Sequence, residues 1–262
     1  MLPVQAGADW RFSMSNARLP PIRRFLQLQI PQMFRPIVTS VLANTIGRVN
    51  LEAPATGLTA VAYWARFSRW CSTHPTPTAR KGKGRDWLYQ SVIESEALDQ
   101  GPIQYLEFGV YRGDSLRSWL AGISHPDSRF VGFDTFTGLP ERWRPTEPAG
   151  HFNADGITPD IKDPRCSFEV GLFQDTLPAF VARTNLTGRL VINLDADMFT
   201  STLFVLTTLA PYLKSGDLVF FDEFSCPLDE FRAFEEFVRS FRVKYDVIAA
   251  VYGYTRVCIK IL

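Results

Sequence analysis

Acidic side chains directly follow two short apolar runs in the second half of the sequence, residues 190–194 and 218–221. If these runs are neighbouring strands of a parallel sheet, their carboxyl ends share one edge, which is where ligands bind in open α/β sheets. Carboxylate oxygens that converge there suit a hard cation such as Mg²⁺ or Mn²⁺, and carboxylates stacked without a cation repel one another. The predicted metal ligands are Asp195, Asp222 and Glu223.

Asp197 belongs to the same acidic group but has a second interpretation. Together with Ser201 it precedes a helix predicted from Thr202, and a side chain in such a position can simply cap the helix. A purely structural role for Asp197 therefore stays open.

A turn with two glycines begins at the end of the apolar run 103–110. Glu107 stands near the end of this run, Gly109 and Gly113 follow, and a helix is predicted from Ser115. Glycines let the backbone approach a ligand closely, and the open amides of a helix N-terminus bind a negatively charged group such as a carboxylate. Because such turns are common in α/β proteins, this turn alone can also be structural.

Asp134 ends the next apolar run, residues 129–133. An acid there, about 20 residues past the glycine turn, can accept hydrogen bonds from both hydroxyls of a ribose. Nicotinamide enzymes and S-adenosylmethionine enzymes share this arrangement. The sequence has no G-x-G-x-x-G, and the turn lacks the third glycine of the dinucleotide fingerprint.

The elements that must position these residues alternate between strands and helices from residue 86 onward. Right-handed crossovers between such strands build a parallel sheet with helices on both faces, and the last two strands form an antiparallel hairpin. We therefore predict an α/β fold, a doubly wound, mostly parallel seven-stranded sheet of the Rossmann-like class I methyltransferase type with an antiparallel last strand. The predicted strands are 103–110, 129–133, 167–170, 189–194, 217–221, 245–251 and 255–261, and the predicted helices include 86–97, 115–123, 177–184 and 202–213.

Residues 1–84 differ from the rest because prolines interrupt short helical patterns such as 59–71. We predict a helical N-terminal arm or lid over residues 1–84 and a methyltransferase domain over residues 85–262, joined by a linker at 74–84. The stretch 30–46 is typical of an amphipathic helix, which either packs on the chain's own domain or rests on a membrane surface or a partner. A homo-oligomer formed through the arm is a further expectation.

Composition narrows the classes of function. A formal net charge of +1 gives no electrostatic basis for binding nucleic acid, and the short basic run from Arg80 to Arg85 is typical of a solvated linker. The sequence shows no secretory signal and no stretch near the roughly 20 apolar residues that span a bilayer. The four cysteines form no C-x-x-C pair, which argues against a zinc knuckle or a disulfide framework. We expect a cytoplasmic protein that acts on a small molecule.

Two runs carry the family resemblance, Phe-Asp-x-Phe-x-Gly-Leu-Pro-Glu at 133–141 and Phe-x-Asp-Thr-Leu-Pro at 173–178. With the stretches 105–115 and 193–202, they resemble the macrocin O-methyltransferase family, which modifies sugar hydroxyls in antibiotic biosynthesis. The resemblance extends over residues 85–262 and implies an S-adenosylmethionine-dependent O-methyltransferase of secondary metabolism, with magnesium as a second cofactor.

The resemblance also implies roles for individual residues. Asp195, Asp222 and Glu223 would hold the metal, although the family's second acidic pair is usually Asp-Asp, so Glu223 lengthens one ligand arm. The implied cofactor-binding residues are Glu107, Gly109, Gly113 and Ser115 around the methionine part, Asp134 at the ribose, Gly138, Leu139, Gln174 and Asp175 near the adenine, and Asp195.

The acceptor oxygen must also lose a proton to a base. Asp197 and Glu223 are candidates, and His151 is a third because it lies in the long loop 141–165, which we expect to cover the acceptor. Trp143 and Phe152 in that loop suit sugar or aromatic acceptors equally. A nicotinamide-dependent oxidoreductase and a non-catalytic binding protein with the methyltransferase fold remain the alternatives.

Overall fold

The computed structural model of the protein describes residues 52–75, 84–186 and 188–262, with side chains from residue 57 onward. The chain divides into two compact units, Met1–Ala55 and Thr56–Leu262, and the features below belong to the second apart from the first four residues of α1. The helices are α1 (Glu52–Thr73), α2 (Arg85–Ser95), α3 (Asp114–Gly122), α4 (Phe173–Arg183), α5 (Phe199–Leu209) and α6 (Glu230–Phe241). The strands are β1 (Ile103–Phe108), β2 (Arg129–Asp134), β3 (Cys166–Val170), β4 (Arg189–Leu194), β5 (Leu218–Phe221), β6 (Tyr245–Ala250) and β7 (Val257–Ile261), and short 3₁₀ turns lie at Leu98–Gln100, Ala210–Tyr212 and Tyr252–Tyr254.

The seven strands form one sheet in the order β3-β2-β1-β4-β5-β7-β6. Strands β1 to β5 pair in parallel, whereas β7 runs antiparallel to both β5 and β6. This topology confirms the predicted doubly wound α/β sheet with an antiparallel last strand. The carboxyl ends of β1, β2, β4 and β5 consequently lie along one edge.

The central strands are buried on both faces, which explains why they read as continuous apolar runs. In β1, Leu106 and Phe108 belong to one core cluster, while Ile103 and Tyr105 belong to a second cluster. The first cluster also includes side chains of α1, α4, α5 and α6, and the second includes side chains of α2 and α3. The sheet edge that carries the acids is thus held from both sides.

Helix α1 packs onto the domain through aromatic side chains. The ring of Trp70 lies 4.9 Å from that of Phe224, and its indole nitrogen donates a 2.9 Å hydrogen bond to the Tyr245 hydroxyl. Phe67 meets Phe231 edge to face at 5.1 Å. The described part of the predicted arm is therefore a helix that shares the first core cluster. The stretch 30–46 and most of the predicted linker lie outside the described residues.

Two helices begin earlier than the sequence suggested. Helix α4 starts at Phe173 because the Leu172 carbonyl accepts hydrogen bonds from the amides of Asp175 and Thr176, each 3.0 Å long, and the helix accommodates Pro178. Helix α5 starts at Phe199 without a capping side chain. Within the ranges that the structure covers, no helix is both long and apolar enough to cross a membrane.

Candidate active site

A cavity of about 310 Å³ opens at the carboxyl edge of the sheet, within the size range of small-molecule sites. It touches the turn after β1, the ends of β2, β4 and β5, and the start of α4. Its lining includes Arg85, Gly109, Val110, Tyr111, Arg112, Ser115, Asp134, Gly138, Leu139, Trp143, Phe152, Phe173, Gln174, Asp195, Asp197, Met198, Ser201, Asp222 and Glu223. Most of the residues predicted to form the site are thus brought together here.

Gly109 brings the turn after β1 directly against the end of β4. Its φ is +92°, and a Cβ at this position would lie 1.8 Å from the backbone carbonyl oxygen of Asp195. The Asp195 amide in turn donates to the carbonyl of Phe108 over 2.9 Å. Only glycine satisfies both the conformation and the contact. The glycine therefore joins the two halves of the cavity floor.

Glu107 lies beneath the cavity floor and is not part of its lining. Its fully buried carboxylate accepts 2.5 Å hydrogen bonds from the hydroxyls of Tyr105 and Ser115, one on each oxygen. Burial raises the pKa of Glu107 to about 7, although both hydrogen bonds and the nearby Arg85 oppose that rise. Ser115 does line the cavity, so Glu107 acts on the site by holding this serine.

Asp134 ties the loop after β2 to the turn after β1. One carboxylate oxygen accepts from the amides of Val110 and Tyr111, and the other accepts from the amide of Phe136, all at 2.8 Å. A carboxylate has about four lone-pair directions. Three are used here, so only one remains for a hydroxyl of a ligand.

The residues predicted near an adenine occupy different positions. Gly138, Leu139 and Gln174 line the cavity, whereas Asp175 is exposed in the first turn of α4 and lies outside the lining. Gly113, with φ +78°, precedes α3 and packs against the ring of Pro159, also outside the lining.

The acids at the ends of β4 and β5 are paired with arginines. Arg256 holds both carboxylate oxygens of Asp222, with distances of 2.6 and 3.0 Å from its Nε and Nη2 atoms. The Nη1 atom of Arg85 lies 3.2 Å from an oxygen of Asp195 and 4.0 Å from one of Asp222. Two guanidinium groups therefore surround the carboxylates predicted to bind a metal.

Glu223, the third predicted metal ligand, is directed elsewhere. Its carboxylate lies 3.9 Å from a guanidinium nitrogen of Arg144 and accepts a 3.3 Å hydrogen bond from the Cys226 thiol. Its backbone amide donates to Glu230. Across the described part of the chain, no group of three or more Asp, Glu, His or Cys side chains is arranged to hold a metal ion.

Asp197 also lines the cavity, and no described side chain forms an ion pair with its carboxylate or donates a hydrogen bond to it. Its φ of +59° lies in the left-handed region, and Met198 is the residue that precedes α5, so Asp197 does not cap that helix. Burial, with the neighbouring charges of Glu223 and Asp222, raises the pKa of Asp197 to about 7.

His151 does not reach the cavity. Its ring is exposed and packs edge-on against that of Phe152, with centroids 4.3 Å apart. Its backbone is held against the residues before the loop, because the His151 carbonyl oxygen accepts a hydrogen bond from the Leu139 amide and would be 2.4 Å from a Cβ at Gly138. Of the candidate bases, Asp197 and Glu223 line the cavity.

Backbone hydrogen bonds close the first part of the predicted loop 141–165, and this part contributes to the cavity lining. The amide of Gly150 donates to Leu139, and Thr137 forms an antiparallel bridge with Asn153. Trp143 lines the cavity, with the guanidinium of Arg144 3.6 Å above its ring centroid. The loop therefore forms one wall of the cavity.

Sequence reasoning missed the arginines. The sequence predicts a solvated basic run that ends at Arg85, yet Arg85 is the first residue of α2 and lines the cavity. Its position directly before the helical pattern at Asp86 was the available signal. Arg256 could have been found from topology, because β7 pairs antiparallel with β5 and Val257 lies opposite Phe221. The residue before β7 must then lie beside the residue after β5, Asp222.

The sequence matches known methyltransferases. The macrocin-O-methyltransferase (TylF) family profile matches residues 151–254. A curated relative from Streptomyces olivaceus, 8-demethyl-8-(2,3-dimethoxy-alpha-L-rhamnosyl)-tetracenomycin-C 4'-O-methyltransferase, is 28% identical over 179 residues. That match covers 60% of this chain and 65% of the relative, which is just under two thirds of its length.

Two solved structures share the fold. Calicheamicin methyltransferase CalS11 is 23% identical with a TM-score of 0.54, and the comparison covers 76% of this chain and 91% of that one. The O-methyltransferase NovP gives the same identity and TM-score over 67% of this chain and 78% of its own. The sequence matches confirm the predicted resemblance to the macrocin O-methyltransferase family. The two solved structures confirm the predicted class I methyltransferase fold.

Proposed function

We propose that the protein is an S-adenosylmethionine-dependent O-methyltransferase that acts on a hydroxyl of a sugar or another small natural product. The observation that carries this proposal is the single cavity that runs from the glycine turn after β1 to Asp197 at the end of β4. One end suits a nucleoside and an amino-acid group, and the other end offers an unpaired carboxylate beside aromatic side chains.

The cofactor end is built by the turn after β1, Asp134 and the start of α4. The backbone at Gly109 and the hydroxyl of Ser115 border the position proposed for the methionine part. Asp134 offers its remaining lone pair to one ribose hydroxyl. Leu139 and Phe173 supply apolar surface for the adenine ring. S-adenosylmethionine, when bound, supplies an electrophilic methyl group on a sulfonium.

The acceptor end lies between Asp197 and the wall formed by the loop 141–165. Methyl transfer is an in-line displacement, so the protein must align the acceptor oxygen and remove its proton. Asp197 is placed to accept that proton because it lines the cavity and no described side chain occupies its carboxylate with a hydrogen bond. The ring of Trp143 offers a flat surface to the acceptor. A sugar presents a matching apolar face to such a ring.

Magnesium enters no step of this proposal. The predicted ligands do not fit a metal ion as they stand, because Asp195 and Asp222 are paired with arginines and Glu223 is directed toward Arg144. The predicted metal assistance is thus replaced by a mechanism that uses only residues of the chain.

Calorimetric titration of the purified protein with S-adenosylmethionine and with NADH tests the cofactor. We expect saturable binding of S-adenosylmethionine alone. Binding of NADH without S-adenosylmethionine would overturn the proposal in favour of an oxidoreductase.

A mass-spectrometric screen tests the reaction. Incubation with nucleotide sugars, glycosides and phenols should reveal an acceptor that gains the mass of one methyl group. Cofactor binding without transfer to any acceptor class would instead support a non-catalytic binding protein.

A further inference from the structure

We propose that Arg85 and Arg256 take the electrostatic place of a divalent cation at the ends of β4 and β5, so that this chain neither binds nor needs one. The inference rests on the proposed O-methyltransferase function, because it concerns how the same site is neutralised. It is carried by the contacts of the two guanidinium groups with Asp195 and Asp222, both of which line the cavity.

The position of Arg256 follows from the sheet. The residue before β7 is brought beside the residue after β5 by their antiparallel pairing. The backbone there is fixed on both sides, because the Arg256 carbonyl accepts from the Val251 amide and the Thr255 carbonyl accepts from the Phe224 amide, each at 2.9 Å. Arg256 therefore reaches Asp222 from a rigid frame. Both oxygens of that carboxylate are engaged, which is the strong bidentate geometry of an arginine–carboxylate pair.

The position of Arg85 follows from α2. This helix is anchored in the second core cluster, and the hydroxyl of Tyr89 donates a buried 3.2 Å hydrogen bond to Asn193 on β4. One turn earlier on the same helix, Arg85 reaches 3.2 Å from Asp195 and 4.0 Å from Asp222. A single guanidinium thus spans the carboxylates of two neighbouring strands, as a bridging cation would.

The formal charges of Asp195, Asp222, Arg85 and Arg256 balance without a metal, while Asp197 and Glu223 lie nearby and Glu223 faces Arg144. Asp195 and Asp222 carry two negative charges when ionised, and Arg85 and Arg256 carry two positive charges. Adding Mg²⁺ would leave these four side chains with an excess of positive charge, and unpaired charge in a largely buried place is costly. The ion would also have to displace a bidentate arginine and lose part of its tightly held water.

Arg85 also has a role toward the reactants. Because it lines the cavity, it is the member of the pair that can face an acceptor oxygen as negative charge develops there. Arg256 acts through Asp222 and is a positioning residue.

Manganese binding, followed by electron paramagnetic resonance with and without S-adenosylmethionine, tests the inference independently of activity. We expect no saturable binding of Mn²⁺ to the wild-type protein at millimolar concentration. Replacing Arg256 by Met frees Asp222, and we expect the Arg256→Met variant to gain a Mn²⁺ site. The matched control is Arg66→Met, which frees the partly exposed carboxylate of Glu235 outside the cavity and should gain none.

Three results would overturn the inference. One is saturable Mn²⁺ binding by the wild type that Asp222→Asn weakens. Another is a folded Arg256→Met variant that gains no site, since the arginine would then not be what excludes the ion. The third is a transfer rate that falls on adding a chelator and returns with Mg²⁺. If Arg256→Met fails to fold, the wild-type measurement decides alone. Failure of the proposed function has a different signature, because S-adenosylmethionine would then not bind whatever the Mn²⁺ result.

Discussion

Gly109 and Asp195 approach each other more closely than any side chain would allow, since a Cβ on the glycine would lie 1.8 Å from the aspartate's carbonyl oxygen. The contact joins the end of β1 to the end of β4 where the cavity opens. Any enlargement of Gly109 must push these two strand ends apart.

Gly109→Ala should therefore destabilise the fold and impair cofactor binding together. The positive φ costs about 1–2 kcal/mol and the overlap adds about 1–3 kcal/mol. Chemical denaturation measures the sum. Gly216→Ala is the matched control, because Gly216 has a similar φ of +95° but open space around its Cβ position. Equal losses of unfolding free energy in the two variants would show that the contact with Asp195 does not contribute to stability.

Glu107 should make the stability of the protein depend on pH. Its folded pKa is raised from 4.5 to about 7, so the folded state binds this proton more tightly than the unfolded state. The resulting stability is fully present below about pH 4.5 and is lost as pH rises through about 7. Its size is on the order of 3 kcal/mol for a fully buried group.

Glu107→Gln should flatten this part of the stability profile, measured by denaturant titration between those pH values. Glu94→Gln, a change on the exposed face of α2, is the control and should leave the slope as in the wild type. An unchanged slope in Glu107→Gln would show that another group carries the pH dependence.

Asp197→Asn should reduce kcat while leaving the affinity for S-adenosylmethionine as it is. Loss of a general base typically costs about 100-fold or more in rate. His151→Ala is the comparison, because its ring lies outside the cavity, and we expect its kcat to stay close to that of the wild type. Single-turnover kinetics with a methyl acceptor compares the rate of methyl transfer in the two variants. A larger loss in His151→Ala than in Asp197→Asn would reverse the assignment.

Trp70→Ala should destabilise the domain by about 3–5 kcal/mol, because its ring is buried among aromatic side chains. Trp64→Ala, on the same helix but with 54% of the residue exposed, should cost far less. Guanidinium denaturation of the two variants compares them directly. Similar losses would mean that α1 contributes to stability by its helical structure alone.

The sequence was sufficient to predict the sheet, its antiparallel end and the convergence of the acids at one edge of the sheet. Apolar runs reveal buried strands, and the carboxyl ends of parallel strands share an edge whatever the loops do. That reasoning brought Asp195, Asp197 and Asp222 together correctly. The domain division at residue 84 and the roles given to the site residues stay predictions.

The pairing of these acids could not be predicted in the same way. A carboxylate after a strand suits a metal or an arginine equally well, and the choice depends on side chains distant in sequence. Arg85 precedes Asp195 by 110 positions, and Arg256 follows Asp222 by 34. Likewise, only the structure shows that His151 is exposed and lies outside the cavity lining.

Leu139 forms backbone hydrogen bonds that close the first part of the loop 141–165 into a separate segment. The hydrogen bonds of Leu139 with Gly150 and His151 close the chain on itself, so the segment between them begins and ends at fixed points. Trp143 lies within this segment, so we expect changes there to leave Gly138 and the turn that contacts Asp195 in place, at the cost of the contacts of Glu141 with Thr200 and of Arg144 with Cys226. Acceptor preference can therefore diversify, or be engineered, in a segment that does not carry the architecture of the cofactor end.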